Sequence, residues 1–310
     1  MRQITNTIVM IRPVQFRMNE QTAVNNYYQV DGNIDSESAN QKAQQEFDTF
    51  VKVLEEAGVN VIVIDDDPKN DTPDSIFPNN WVSFHENGDI GLYPMFAVNR
   101  RKERRPEVLD QLESSGFKIN NIVDYTSAEE AGVFLEGTGS LVLDRVNRKA
   151  YCALSPRAEE ELLIEFCEDF EYTPVIFTAY QTVDQERLPI YHTNVMMGLG
   201  ETLAIVCLDA IDDKKERKNL IEHLKNDNKE IIAITEEQVN NFAGNMLQVE
   251  GIDRKRYLVM SSAAYHSLTK EQIAKIEQHC LILHSDLNTI ETLGGGSARC
   301  MMAEVFLPKA

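Results

Sequence analysis

Apolar residues along this chain come in two rhythms, and the two alternate. Short unbroken runs read as buried strands: Ile8-Val9-Met10-Ile11, stopped by Arg12-Pro13, and Val61-Ile62-Val63-Ile64. Between them Phe47, Phe50, Val51 and Leu54 fall on one stripe of a helix that Gly58 stops. A polar stretch, 14–40, precedes that helix. It is too long for a plain connector and predicts a lid. Asn80-Trp81-Val82-Ser83-Phe84 and Ile90-Gly91-Leu92-Tyr93 then predict a hairpin, with Asn87-Gly88 in its turn.

The order repeats. Pro106 starts a helix carrying Val108, Leu109 and Leu112, with Gly116 as its stop, and a strand follows around Ile119 to Val123. A second hairpin pairs 140–143 with 150–154. Ser155-Pro156 reads as an N-cap and first-turn pair for a helix bearing Leu162, Leu163, Phe166 and Phe170, and Val175-Ile176-Phe177 is the strand. A third unit runs through 195–197, 203–206, a helix with Leu220, Ile221 and Leu224, and the strand 231–234. The fourth pairs 246–249 with 257–260, then shows a capping box, Thr269 with Gln272, and the strand 281–283. The C-terminal stretch and the N-terminal strand together complete a fifth.

The residues that open these hairpins are Asn80, Glu136, His192, Asn245 and Cys300, spaced 56, 56, 53 and 55 residues apart. A fixed period of this size indicates a radial or stacked array. Five units with both termini in one module indicate a closed ring, whose equivalent positions converge on its axis. A Cys, a His and a Glu at converging positions point to a central catalytic site.

Composition narrows the partners. Against 50 acidic residues stand 30 basic ones, a net charge of −20, which phosphates of nucleic acid would repel. No apolar run has membrane length and the first residues lack a signal-peptide core. Five scattered cysteines make no disulfide framework. Cys152, Cys167, Cys207 and Cys280 sit among apolar neighbours and read as buried thiols, so a reducing cytoplasm is expected.

Cys300 differs from the other four. It follows Gly294-Gly295-Gly296-Ser297-Ala298-Arg299. Glycines open unusual backbone conformations, and a neighbouring guanidinium favours the nucleophilic thiolate. His85, His223, His266, His279 and His284 carry no such company and read as structural.

Four segments carry a resemblance: 73–80 (Pro-Asp-Ser-Ile-Phe-Pro-Asn-Asn), Leu135-Glu136-Gly137-Thr138-Gly139, His192-Thr193-Asn194, and 294–301. They resemble the amidinotransferase superfamily of guanidino-group-modifying enzymes, which includes arginine deiminase and dimethylarginine dimethylaminohydrolase. The chain looks closest to the citrulline utilisation hydrolases. The resemblance spans 1–310 as a single domain and implies an α/β fold, a five-bladed propeller of ββαβ modules. It implies Cys300 as nucleophile, His192 as acid and base, and Glu136 as the carboxylate that holds the imidazole, with no metal or organic cofactor. The implied partner is a small amino-acid substrate, with a homodimer allowed. Substrate-binding positions carried over are Asp74, Phe77, Asn80, Asn194 and Asn245, with an Arg of the run 100–105, taken as Arg101, for the substrate carboxylate.

The departures bear on substrate charge. Relatives that grip cationic guanidines commonly have Asp where this chain has Asn80, and arginine deiminases have Asp at Asn194. A guanidinium has only donors, whereas a ureido group also presents a carbonyl. The expected reaction is hydrolysis of citrulline to ornithine, ammonia and carbon dioxide. The alternatives are an arginine or methylarginine hydrolase and a non-catalytic propeller of the kind found in a ribosome-binding initiation factor.

Overall fold

The computed structural model describes residues 2–310. Five three-stranded sheets share one plan: two strands pair as an antiparallel hairpin, and the third, reached through a helix, runs parallel to the second. Val82–Phe84, Asp89–Leu92 and Asn121–Asp124 form the first such set. Leu141–Asp144, Lys149–Leu154 and Thr173–Thr178 form the next, then Met197–Leu199, Leu203–Val206 and Glu230–Ala233. Leu247–Glu250, Arg256–Ser261 and Leu281–Ser285 follow. The remaining sheet joins the two ends of the chain, since Ala303–Glu304 pairs antiparallel with Thr7–Arg12, which runs parallel to Asn60–Asp65.

Burial explains which residues sit where. The first two strands of each set are almost wholly covered, as the buried run Leu203–Val206 shows. The third strand faces a helix on one side and solvent on the other. Asn60–Asp65 was expected to be buried, yet Val63 is 40% exposed, and Leu281 in its equivalent strand is 51% exposed. A continuous β-branched run therefore marks the strand but not its depth. The helix Ser36–Glu56 is capped by Asp35, whose side chain accepts from Ser38 N, and buries Phe47, Phe50, Val51 and Leu54 against the neighbouring strands. The capping box of Thr269 and Gln272 opens Lys270–Ile276 as its spacing predicts.

Three local readings change. Ser155-Pro156 does not start a helix: that helix is Glu160–Asp169, and Ser155 Oγ instead donates to Tyr191 O and accepts from Arg157 N. The polar stretch before Ser36 contains a short helix, Glu20–Ala23, capped by Asn19. An additional hairpin, Tyr180–Val183 with Glu186–Pro189, has no counterpart in the other modules. Among the described residues no helix is long and apolar enough to cross a membrane.

Gly58 and Gly116 end their helices at nearly the same φ, +84° and +82°. Their surroundings differ: a Cβ on Gly58 would stand 2.6 Å from the backbone N of Ile252, whereas one on Gly116 would meet nothing within 4 Å. Gly116→Ala should therefore cost only the left-handed backbone penalty, about 1–2 kcal/mol. Gly58→Ala should cost about 1–3 kcal/mol more from the overlap. Urea unfolding of both variants checks this, and equal losses would refute it.

Candidate active site

Three of the five repeat positions open or close a short helical turn that feeds a covered strand. Asn80 ends the turn Pro78–Asn80, Glu136 precedes Gly137–Ser140, and His192 precedes Thr193–Met196. Each module also hydrogen-bonds to the one before it. Thr138 Oγ1 donates to Asn79 O at 3.2 Å, Asn194 Nδ2 to Thr138 O at 3.3 Å, and Asn245 Nδ2 to Asn194 O at 3.1 Å. Asn245 Oδ1 then accepts from the backbone N of Arg299 and of Cys300. The repeat positions are thus brought to one place, as their period predicts.

A small, closely lined cavity lies there, with Cys300, His192, Asp74, Phe77, Asn80, Arg100 and Arg157 in its wall. Cys300 is buried, and two amide donors reach its Sγ: Asn245 Nδ2 at 3.2 Å and Asn194 Nδ2 at 3.5 Å. Arg299, the cation expected to stabilise the thiolate, turns away from it. Its guanidinium donates to Met302 O and Glu304 Oε2. Sequence adjacency does not bring its charge to the sulfur.

His192 Nε2 is 2.7 Å from Glu136 Oε2. Glu136 is completely buried; its other oxygen accepts from Phe96 N, and Arg157 Nη1 lies 3.5 Å from Oε2. Burial pushes the Glu136 carboxyl up, but Arg157, the His192 hydrogen bond and Arg100 outweigh it and hold the group at about 2. An ionised acceptor at Nε2 fixes the tautomer, with the proton on Nε2 and the lone pair on Nδ1. Burial depresses the imidazole, Glu136 raises it, and Arg157 and Arg100 lower it further, to about 4. Nδ1 faces Gly139: a Cβ there would stand 2.8 Å from Nδ1 and 2.3 Å from Asn80 Nδ2, so only glycine leaves both atoms room.

Asp74 Oδ2 accepts from Asn19 Nδ2 at 2.7 Å and Thr22 Oγ1 at 3.0 Å, while Oδ1 is buried without a partner. Asn80 Oδ1 accepts from Arg100 Nη1 at 2.8 Å, and Nδ2 is likewise unpartnered. Phe77 sets one side of the cavity, its ring against the backbone of Gly294 and Gly296. The polar N-terminal stretch closes the top. Asn26 Nδ2 reaches the carbonyls of Gly294 and Gly295, and Arg157 donates to Thr22 O and Asn25 Oδ1.

Some expected site residues stand elsewhere. Arg101 is not in the cavity wall; its Nε donates to Met95 O and pairs with Glu129. Arg100, one residue earlier, is the one turned inward. Asn194 and Asn245 touch the sulfur rather than the space a substrate would fill. Arg157 was missed, although it stands 57 residues after Arg100, one repeat on. Among the described residues no group of three or more His, Cys, Asp and Glu is placed to hold a metal ion.

A family model described as N,N dimethylarginine dimethylhydrolase, eukaryotic, matches residues 12–307. The chain belongs to this family. Membership of the N,N dimethylarginine dimethylhydrolase family places it in the amidinotransferase superfamily of guanidino-group-modifying enzymes. The fold is shared with ArgZ, an arginine dihydrolase from the ornithine-ammonia cycle in cyanobacteria. Its apo structure superposes with a TM-score of 0.74 at 17% identity, over 98% of this chain and 41% of that one. The N-terminal domain of ArgZ covalently bound to a reaction intermediate gives 0.71 at 18%, over 97% and 99%. A dimethylarginine dimethylaminohydrolase adduct with S-methyl-L-thiocitrulline gives 0.62 at 13%, over 97% and 99%. This chain therefore spans about two fifths of the full-length ArgZ and nearly all of its N-terminal domain. No curated protein matches.

The depressed His192 makes the fold sensitive to acid in a defined window. Its ordinary value is 6.5 and its folded value about 4. Between those pH values the unfolded chain binds a proton that the folded chain refuses, so stability falls as pH drops through the window. Glu136 acts lower: its contribution, present above 4.5, is lost as pH falls toward 2. Melting temperatures of wild type and His192→Asn between pH 6.5 and 4.5 should decline less steeply in the variant. Parallel declines would show that His192 does not titrate between the two states.

Proposed function

We propose that this chain hydrolyses the ureido group of a free amino acid, with citrulline the first choice. The observation that carries this reading is the pair of unpartnered buried atoms in the cavity wall, the Asp74 Oδ1 acceptor and the Asn80 Nδ2 donor. A ureido group supplies the complement of both, a carbonyl for the donor and an N–H for the acceptor. A guanidinium has donors only, so it would leave the Asn80 N–H facing another N–H. An unpaired buried donor costs about 1–3 kcal/mol.

In this reading Cys300 Sγ attacks the ureido carbon, helped by the two amide donors at the sulfur. The thiol proton passes to His192 Nδ1, and the imidazolium gives it to the departing ammonia. A thiocarbamate remains on Cys300. Water attacks it as His192 takes a proton, the C–S bond breaks, and the released carbamate decomposes to ornithine and carbon dioxide. Glu136 keeps its negative charge throughout and stabilises the transient imidazolium, as its depressed pKa allows. We read 1–310 as one domain and its five sheets as blades of a propeller. The support is their common strand order and the gathering of the repeat positions at one cavity.

A second reading, hydrolysis of arginine or a methylarginine, is favoured by the Asp74 carboxylate and by the name of the matching family. Specificity constants for citrulline, arginine and methylarginines separate the two, and a preference for arginine would overturn the first. Cys300→Ser should lower turnover by about three orders of magnitude or more while preserving the melting transition, because an alcohol is a far weaker nucleophile than a thiolate. Retained turnover would remove Cys300 from the mechanism.

A further inference from the structure

The two ends of an Asn side chain differ chemically, and either can face a cavity. At Asn80 the choice is made from behind. Arg100 carries donors and no acceptor, so the atom that meets its Nη1 has to be Asn80 Oδ1, at 2.8 Å. Arg100 is not free to turn aside. Its Nε and Nη2 fork onto Glu103 Oε1 and Oε2, each at 2.9 Å, and Nη2 also donates to Phe77 O at 3.1 Å. Arg100 and Glu103 are both buried, where such a bidentate pair holds its geometry tightly. With Oδ1 occupied, Nδ2 faces the other way. It has no partner, and it lies on the same side of Gly139 as His192 Nδ1.

We infer that Arg100, held by Glu103, is a positioning residue that sets the substrate class of this site. It makes Asn80 a donor only, so the cavity accepts a reacting group with an acceptor beside the attacked carbon and disfavours one with donors alone. Without Arg100 the amide is free to rotate and offer Oδ1 to a guanidinium. The inference rests on the ureido reading above and deepens it, since neither Arg100 nor Glu103 needs to touch the reacting atoms.

A double-mutant cycle tests it. Specificity constants for citrulline and arginine are measured on wild type, Arg100→Met, Asn80→Ala and the double variant. Arg100→Met should reduce the citrulline-over-arginine preference about tenfold or more, the usual size of a lost charge-assisted hydrogen bond. In the Asn80→Ala background the same change should move the preference less than about twofold, because the two residues act as one unit. Arg100→Lys, which keeps a donor, should restore part of the preference. Glu103→Gln retains the guanidinium and only loosens it, so it should shift the preference in the same direction by a smaller factor, even if Arg100→Met fails to fold. Equal losses on both substrates, or the same shift in both backgrounds, would overturn the inference. A wild type that prefers arginine overturns the ureido reading instead, and coupling between Arg100 and Asn80 is then still read from the cycle.

Discussion

Polar side chains buried where five modules meet have to be satisfied within the protein, by one another and by the backbone of neighbouring modules. Much of the site follows from that constraint. Unpaired buried polar groups are costly, and unpaired buried charges more so. The chain answers with a relay in which each module takes a hydrogen bond from the next, from Asn79 through Thr138, Asn194 and Asn245 to the backbone of Cys300. Cys300 is thus held by the same bonds that hold the modules in register. Glu136 is the extreme case, a carboxylate with no exposed surface, kept ionised by a cation and an imidazole that it keeps in place in turn.

Arg157 extends this dependence beyond the reacting groups. One face of its guanidinium lies over the Tyr191 ring, one edge approaches Glu136, and the remaining donors hold Thr22 and Asn25 of the N-terminal stretch. The cover of the cavity and the charge state of Glu136 therefore share a residue. Loosening the cover withdraws part of the field that keeps Glu136 charged.

Much of this was legible in the residues, and what was not has identifiable causes. Strands and helices follow from apolar rhythm because that rhythm records local burial. The period linking Asn80, Glu136, His192, Asn245 and Cys300 brought them to one place because equivalent positions in repeated modules are spatially equivalent too. Side-chain direction was not legible. Arg299 adjoins Cys300 in the chain yet points to Glu304, and Arg101 rather than Arg100 seemed the inward residue. The burial of Asn60–Asp65 was overread, since a β-branched run looks alike in a central strand and in one with a wet face. Arg157 hid behind Ser155-Pro156, a pair that imitates a helix start while its hydroxyl serves a carbonyl in the next module.

The pairing of Ala303–Glu304 with Thr7–Arg12 has a temporal consequence. The strand Thr7–Arg12 is made long before its antiparallel partner, with the other four sheets between them in sequence. Four sheets draw all their strands from contiguous segments and can form as they emerge. The one beside Cys300 has to wait, with Ile8 to Ile11 exposed or loosely held by Asn60–Asp65 alone. Contacts of such long sequence separation form slowly, and an unpaired apolar edge invites other chains while it waits. Cys300, three residues before Ala303, therefore joins the other repeat positions only after the strands of the other four sheets have been made.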